Sequence, residues 1–384
     1  MKKRVLAIAM SLAMVTALFA GCGGSQTTAG DQAADTDKSV SAENDIVAYD
    51  NETYDASKDA AAYDGEEFAE QTWHFACSTG DTSTWAKAGR YFGALMEQST
   101  GGKVTVKVDG AADALTNGDQ KGGIAALTEG STVQVSMHSN LIYSAFDDRF
   151  NVVSLPYIFD DYDDVDATLD GEAGDMLKDI LSGMGLHCFG IAENGFRQLT
   201  TTDKEVKSAA DMEGLKIRVA GSNLLMQCYK EWGADATNMN WSETYTALQQ
   251  NTVEGQENPL PAISSASVQD VQDYISLWNA YYDCLFFCIN QEVYDQLTDE
   301  QKACVDENAM KAVEYQRNIN RYECDQLISD WTANNTITVI DTEDIDVDSF
   351  KTATAGVADW YIQQLVDGGT PEADAKALVE AFTK

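Results

Sequence analysis

Positive charge is scarce in this sequence. The 384 residues include 25 Lys and Arg against 63 Asp and Glu, which gives a formal net charge of −38 at pH 7. Proteins that bind nucleic acid or an anionic membrane surface concentrate Lys and Arg on one face. The balance of charge therefore argues against both functions, and we expect no nucleic-acid partner.

Motifs that build common catalytic and cofactor sites are also missing. The chain has no P-loop, no Gly-x-Ser-x-Gly elbow, no His-Glu-x-x-His motif and no Gly-x-Gly-x-x-Gly loop. Its three His are scattered and its eight Cys contain no Cys-x-x-Cys pair, so no zinc spacing is present. We expect a protein that is not an enzyme and binds no cofactor or metal. Because carboxylates are frequent, a secreted hydrolase with a carboxylate pair is the alternative.

Long apolar runs are absent after the N-terminus. Residues 2–4 are basic, residues 5–20 are apolar, and Cys22 follows small residues. This order is typical of a secretory signal that ends at a bacterial lipidation site. We predict a signal peptide over residues 1–21 and a lipidated Cys22. The protein would then be extracytoplasmic, either lipid-anchored to the outer face of the bacterial cytoplasmic membrane or periplasmic. Simple secretion after cleavage near Ala20 is the alternative.

The composition changes after the lipidation site and again where the folded body begins. Residues 22–70 contain Cys22 and a polar, acidic segment with few core residues, which predicts a disordered tether. Apolar strands then alternate with amphipathic helices, as in the helix Thr84–Gln98 and the strand Val104–Val108. This alternation predicts an α/β fold with largely parallel strands. A long helix is expected from Asp299 to about Trp331.

Two arginines, Arg197 and Arg218, lie in the central part of the folded region. Arg218 belongs to a short apolar strand, Leu215–Val219, that follows a turn at Gly214. Side chains alternate along a strand, so Arg218 shares a face with Lys216. A guanidinium at the end of a buried strand is suited to bind a carboxylate through two parallel hydrogen bonds. An internal salt bridge or an exposed edge position is the alternative.

A polar segment after this strand can supply uncharged groups to the same site. Trp241 begins a short helical stretch, and Gly255–Pro259 forms a loop in which Gly255 permits close backbone approach. Asn258 can donate hydrogen bonds to an anion held by arginine, and Trp241 can form a pocket wall. Taken alone, Trp241 is more often a core residue and Asn258 more often a loop cap.

Together with other segments, these residues resemble the solute-binding proteins of tripartite ATP-independent periplasmic (TRAP) transporters. The segments are Gln98–Val104, Ser154–Phe159, Asp211–Val219, Trp241–Gln250 and Gly255–Pro259. Their order and spacing match the family, and the resemblance extends over the whole folded body. It implies a protein that captures a small carboxylate-bearing solute and delivers it to the membrane subunits of a TRAP permease.

The resemblance also implies an architecture. The family fold is a two-lobed, periplasmic-binding-protein-like clamshell with a cleft between the lobes and a long helix spanning both. Lobe I would comprise residues 71–194 and about 284–323. Lobe II would comprise about 195–283 and 324–384. We expect a monomer that meets the membrane through its lipid anchor only.

Candidate ligand groups follow from the same resemblance. Arg218 corresponds to the arginine that binds the solute carboxylate, and Arg197 corresponds to a second arginine. The predicted set is Arg218, Arg197, Asn258, Trp241, Ser78, Ser139 and Asn140. Sugar acids and C4-dicarboxylates both fit two arginines and an asparagine, so the solute stays open. A binding protein that serves another importer or a sensor is a further alternative.

Overall fold

Alternating strands and helices give a mixed α/β fold, which confirms the predicted fold class. The computed structural model describes residues 47–49, 52–108 and 119–383. The predicted signal peptide, the lipidation site Cys22 and the first part of the predicted tether lie outside the described residues. These features therefore stay predictions.

Within the described residues, the strands are β1 (Val47–Tyr49), β2 (Glu52–Tyr54), β3 (Gln71–Cys77), β4 (Val104–Val108), β5 (Val135–Ser139), β6 (Leu186–Phe196), β7 (Gln198–Thr201), β8 (Lys216–Val219), β9 (Asp235–Asn238), β10 (Gly255–Asn258), β11 (Tyr274–Ser276), β12 (Tyr282–Asn290) and β13 (Thr338–Ile340). The α-helices are α1 (Ala56–Asp59), α2 (Thr84–Thr100), α3 (Gln120–Glu129), α4 (Asn140–Tyr143), α5 (Tyr162–Leu169), α6 (Glu172–Gly183), α7 (Asn223–Glu231), α8 (Trp241–Gln249), α9 (Leu260–Ser265), α10 (Gln291–Asp295), α11 (Asp299–Asn334), α12 (Val347–Ala353), α13 (Val357–Asp367) and α14 (Glu372–Phe382). Short 3₁₀ helices lie at Asp148–Ser154, Ala209–Met212, Val268–Asp270 and Thr342–Asp344.

A first sheet, named sheet I, contains five strands of the described chain in the order β4-β3-β5-β12-β6. Strand β3 runs parallel to β4 and β5. Strand β12 runs antiparallel to both of its neighbours, β5 and β6. Every residue of β12 is buried, so this strand belongs to the core around sheet I.

A second sheet, named sheet II, contains six strands of the described chain in the order β13-β11-β7-β10-β8-β9. Strand β8 runs parallel to β9 and β10, whereas β7 runs antiparallel to β10 and β11. Both sheets are mixed, but only β12 in sheet I and only β7 in sheet II run against the other described strands of their sheet, so the prediction of largely parallel strands is confirmed. The chain passes directly from sheet I into β7 and directly from sheet II into β12. Neither strand therefore needs the crossover connection that joins parallel neighbours in one sheet.

The chain crosses between the sheets through short segments that contact each other. Arg197 alone separates β6 from β7, and Leu277–Tyr281 connects β11 to β12. The backbone N–H of Arg197 donates to the carbonyl of Tyr281 at 3.0 Å. The indole Nε1 of Trp278 donates to the carbonyl of Arg197 at 3.0 Å. Arg197 is thus anchored at the junction of the two sheets.

The predicted long helix is confirmed as α11, which has 36 residues. A capping box between Thr298 and Gln301 begins the helix, and Asn335 ends it in the left-handed conformation, with φ of 50°. Helix α11 packs against α2 and β6 of the sheet I side and against α9 and β13 of the sheet II side. It therefore spans both halves of the clamshell. No helix in the described ranges combines the length and the apolar character needed to cross a bilayer.

The last part of the predicted tether is folded onto the body. Tyr54, Ala56, Ala61 and Phe68 are buried. The backbone N–H of Ala61 donates to Oδ1 of Asn308 on α11 at 2.8 Å. Composition misses this segment because a few apolar residues, spaced widely among acidic ones, are enough to dock it.

The C-terminal helices contact elements on both sides of the cleft. Helix α12 packs near the 3₁₀ helix Ala209–Met212, and α14 packs against α6 and the 3₁₀ helix Asp148–Ser154. The hydroxyl of Tyr361 donates to the carbonyl of Asp148 at 2.7 Å. The residue boundaries of lobe I and lobe II stay a prediction.

Candidate functional site

A cavity lined mainly by polar side chains lies between sheet I and sheet II and is partly open to solvent. The sheet I side contributes Thr79, Trp85, Gln120, Ser139, Ile142, Asn194 and Asp283. The junction and the sheet II side contribute Arg197, Arg218, Ala220, Trp241, Asn258 and Ala262. The fold thus brings five of the predicted site residues to one cavity, namely Arg218, Arg197, Asn258, Trp241 and Ser139.

Arg218 is buried at the cavity wall and makes no ion pair among the described residues. Strand β8 places it opposite Gln256 of the parallel strand β10, and the residue is 2% exposed. Its Nε and Nη2 donate to the backbone carbonyl of Met239 at 3.0 and 2.7 Å. Its guanidinium carbon lies 5.3 Å from the ring centre of Trp241. Because Nη1 makes no hydrogen bond within the described chain, this end of the guanidinium is available to a solute.

Burial makes the charge of Arg218 costly. Loss of hydration is the main reason that the pKa of Arg218 falls to about 10; Glu257 opposes this effect and Arg197 adds to it. The group still carries its charge at neutral pH. A buried cation that no carboxylate of the described chain contacts is suited to bind an anion.

Arg197 is also buried, but its charge is balanced within the protein. Its Nε donates to a carboxylate oxygen of Glu257 and its Nη1 donates to Asp283. Its Nη2 donates to the carbonyl of Glu257 at 2.8 Å and to the second carboxylate oxygen at 3.1 Å. Burial alone would lower the pKa of Arg197, but the charges of Glu257 and Asp283 raise it above its ordinary value. One of its five N–H groups is left for a solute.

Asp283 is a buried carboxylate at the cavity wall. Its Oδ1 accepts from the hydroxyl of Ser139 at 2.7 Å, and its Oδ2 accepts from Nδ2 of Asn194 at 2.8 Å and from Arg197. Burial raises the pKa of Asp283, and Arg197 acts in the opposite direction. Sequence reasoning missed this residue. The available signal was an acidic residue inside the otherwise apolar strand β12.

Asn258 and Trp241 complete the sheet II side of the wall. Nδ2 of Asn258 donates to Oε1 of Gln256 at 3.0 Å, and Nε2 of Gln256 donates to the hydroxyl of Thr200 at 3.0 Å. This chain of bonds orients the Asn258 amide. Trp241 begins α8, and its backbone N–H donates to Oε1 of Gln120 from the other side of the cleft at 3.5 Å.

Ser78 and Asn140 do not line the cavity, unlike their predicted partner Ser139. The amide of Asn140 is used inside the protein, because Nδ2 donates to the carbonyl of Phe150 and Oδ1 accepts from the N–H of Cys284, both at 3.0 Å. Ser78 is buried, and its hydroxyl has no hydrogen-bond partner within the described ranges. The sequence prediction placed both Ser139 and Asn140 at the end of a strand. That position alone does not show which of the two side chains lines the cavity.

Trp85 and Asn194 line the cavity although sequence reasoning did not select them. Nε1 of Trp85 donates to Oδ1 of Asn194 at 3.3 Å, and Asn194 in turn donates to Asp283. Trp85 lies at a helical spacing typical of core residues, so its second role as a cavity wall has no separate signal in the sequence.

The carboxylates of the site are not arranged as metal ligands. Glu257 and Asp283 both bind Arg197. In the part of the chain that the structure describes, no group of three or more His, Cys, Asp or Glu side chains could hold a metal ion.

Elements of the two sheets also contact each other next to the cavity wall. The hydroxyl of Ser222, after β8, donates to Oδ1 of Asn151 at 2.6 Å. The hydroxyl of Ser144 lies 3.4 Å from the carbonyl of Gly221. These contacts hold the two sides of the cleft together.

Comparison with known proteins points to one protein family. A family model described as bacterial extracellular solute-binding protein, family 7, matches residues 75–364. The 2,3-diketo-L-gulonate-binding periplasmic protein of Escherichia coli (strain K12) is 30% identical over 306 residues, which cover 78% of this chain and 90% of that protein. The sugar acid binding protein of Advenella mimigardefordensis, solved in complex with galactonate, matches with a TM-score of 0.75 and 26% identity, over 82% of this chain and 99% of that one. A TRAP periplasmic solute-binding protein of Roseobacter denitrificans, solved with bound β-D-glucuronate, matches with a TM-score of 0.74 and 27% identity, over 82% and 99% of the two chains.

Proposed function

Because the chain belongs to family 7 of the bacterial extracellular solute-binding proteins, we propose that it captures a small carboxylate-bearing solute and delivers it to a TRAP-type permease. The solute would bind in the cavity between sheet I and sheet II. The relatives support this class of solute, because diketogulonate, galactonate and glucuronate all carry a carboxylate.

The electrostatic state of Arg218 is the observation that carries this proposal. Its guanidinium is buried, aimed at the cavity and without an ion pair among the described residues. A carboxylate that accepts from Nη1 would supply the missing counter-charge in a site of low effective dielectric. Truncating one partner of such a buried pair costs about 2–5 kcal/mol of binding free energy.

Closure of the cleft is the second part of the proposed mechanism. When the two sides approach, the hydroxyl of Ser222 reaches Asn151 and the N–H of Trp241 reaches Gln120. Water is then excluded from the solute, which strengthens its pairing with Arg218. Asn258 and the remaining N–H of Arg197 add hydrogen bonds to the solute.

Titration of the purified folded domain with organic acids tests the proposal. A thermal-shift screen comes first, since a ligand at about 100 times its dissociation constant adds about 2.7 kcal/mol of stability. Calorimetry with the best ligand then compares Arg218→Ala with Lys216→Ala. We expect Arg218→Ala to weaken binding about tenfold or more, and Lys216→Ala, an exposed residue on the same strand, to leave it unchanged. Equal affinity in wild type and Arg218→Ala would sink the proposal.

The contacts of the carboxylates at the cavity favour a protein that binds its solute without hydrolysing it. A hydrolase needs one carboxyl group to donate a proton and another to act as base or nucleophile. Glu257 and Asp283 are instead both engaged by Arg197. The bound solute should therefore be recovered unchanged, which nuclear magnetic resonance of the released ligand can verify.

We also propose a TRAP permease as the membrane partner and Cys22 as the site of the lipid anchor. A gene for a TRAP permease beside the gene for this chain would support delivery to that transporter, whereas a neighbouring ATP-driven importer would contradict it. Labelled fatty acid should be incorporated into the full chain in bacterial cells and lost in Cys22→Ala. Incorporation that persists in Cys22→Ala would place the anchor elsewhere.

A further inference from the structure

The ionised groups at the cavity are unevenly distributed. Arg218 enters from β8 of sheet II without an ion pair in the described chain, whereas Asp283 enters from β12 of sheet I. Arg197 lies at the junction, with Glu257 at its Nε edge and Asp283 at Nη1. The group of Arg197, Glu257 and Asp283 therefore carries one excess negative charge. Arg218 is the cation of the site that no carboxylate of the described chain contacts.

One solute carboxylate satisfies this arrangement, and a second one does not. The first would bind Arg218, the cation that makes no ion pair within the described chain. The described lining contains no Lys, His or further Arg besides Arg197 and Arg218. A second carboxylate would therefore lie in a closed cavity whose remaining cation, Arg197, is already paired with Asp283 and Glu257.

Asp283 also distinguishes a hydroxyl group from a carboxylate by its hydrogen-bonding capacity. It accepts from Ser139, Asn194 and Arg197. A carboxylate has about four acceptor positions, so one remains for a donor. A solute hydroxyl can donate to that position. An ionised carboxylate has no proton to donate and adds a like charge, which is unfavourable where both groups are desolvated.

We propose that Asp283, held in place by Arg197, Asn194 and Ser139, makes the cleft selective for a hydroxylated monocarboxylate over a dicarboxylate of the same carbon skeleton. The chemical class is a polyhydroxy acid with one ionised end, such as an aldonate or a uronate. This inference rests on the proposed solute-binding function and chooses between the two solute classes that the sequence left open.

Matched pairs of acids test the inference on the wild-type domain. Galactonate and galactarate share one six-carbon skeleton and differ at the last carbon, which bears a hydroxymethyl group in one and a carboxylate in the other. Gluconate and glucarate form a second pair. Calorimetry at neutral pH measures each pair, and glucuronate and succinate extend the panel. In every pair in which a member binds, we expect the dicarboxylate to bind about tenfold more weakly or worse.

The outcomes separate this inference from the proposed function. A dicarboxylate that equals or exceeds its monocarboxylate partner, or succinate as the tightest ligand, overturns the inference and leaves the solute-binding function standing. If no organic acid in a broad panel binds, the proposed function fails and the inference fails with it. If monocarboxylates bind but Arg218→Ala binds them equally well, the charge argument is overturned.

The variant Asp283→Asn tests whether Asp283 itself causes the preference for a monocarboxylate. Asp283→Asn keeps the size of the side chain and removes its charge, and the Ser139 hydroxyl can accept from the new amide. We expect the ratio of the two affinities within a matched pair to narrow about threefold or more. Glu372→Gln, which removes an equal charge from the exposed helix α14, should leave the ratio unchanged. An unchanged ratio in folded Asp283→Asn overturns the assignment. If this variant does not fold, the wild-type pairs decide the proposal.

Discussion

Arg197 and Arg218 line the same cavity in opposite electrostatic states: two buried carboxylates bind Arg197, whereas Arg218 makes no ion pair among the described residues. Arg197 lies at the junction of the sheets, where its backbone and side chain hold the crossing segments together. Arg218 lies near a strand end, and its Nη1 makes no hydrogen bond within the described chain. The first arginine therefore contributes mainly to the frame of the site, and the second to binding.

Replacing Arg218 with a neutral side chain should stabilise the solute-free protein while it weakens solute binding about tenfold or more. The lowered pKa of Arg218 corresponds to a penalty of roughly 3 kcal/mol on the charged form. Loss of its bonds to Met239 removes roughly 1–2 kcal/mol of stabilisation. Chemical denaturation of Arg218→Met without solute should therefore show a gain of about 1–2 kcal/mol in the free energy of unfolding. A clear loss of stability would mean that Arg218 is already neutralised within the fold.

Replacing Arg197 should have the opposite effect. Arg197→Met leaves Glu257 and Asp283 buried without a counter-charge, and both residues are 0% exposed. Breaking a buried ion pair by removing one partner costs about 3–5 kcal/mol. Denaturation curves should show this loss in Arg197→Met. The triple change Arg197→Met, Glu257→Gln and Asp283→Asn should recover part of it. A mild effect of Arg197→Met alone would contradict the structural role assigned to this residue.

The spacing of apolar residues predicts the helices and strands of this fold well, because each helix or strand is determined largely by residues that are neighbours in sequence. The period-two strand Val104–Val108 is observed with the predicted bounds, and α11 begins at the predicted Asp299. The position of Arg218 on a short apolar strand also follows from its neighbours. In contrast, the direction of β7 and β12 depends on how the chain crosses between sheets, which no local pattern encodes.

The partners of Arg197 could not be predicted, because they are distant in sequence. Glu257 lies 60 residues away and Asp283 lies 86 residues away. In a chain with 63 acidic residues, the apolar strand around Asp283 marks that residue as unusual but does not indicate its partner, and no local feature links Glu257 to Arg197. Sequence reasoning could place two arginines near one site, but it could not show that only one of them lacks a counter-charge.

The hydrogen bond between Ser222 and Asn151 should contribute to solute affinity without contacting the solute. It joins the two sides of the cleft at 2.6 Å, so its loss favours an open form that binds more weakly. Asn151→Ala should weaken binding about two- to tenfold, the equivalent of one net hydrogen bond. Ser222 remains as the cap of α7 in this variant, because its hydroxyl also accepts from the N–H of Leu225.

Calorimetry of Asn151→Ala needs a control outside the cleft. Asn334→Ala changes the same residue type at an exposed position near the end of α11 and should leave the affinity unchanged. If both variants bind as tightly as wild type, the contact between the two sides does not contribute to closure.

Added salt should accelerate capture of the solute. The chain carries a formal net charge of −38, so it repels an approaching anion at long range. Raising the salt concentration from about 10 mM to about 150 mM shortens the screening length from about 30 Å to about 8 Å and should increase the association rate. Stopped-flow fluorescence can follow binding, because Trp85 and Trp241 line the cavity. The dissociation rate should change less, because the pairing with Arg218 forms at contact in a buried site that salt screens weakly. An association rate that falls with salt would show that the local field of the cleft, rather than the net charge of the chain, governs the approach of the solute.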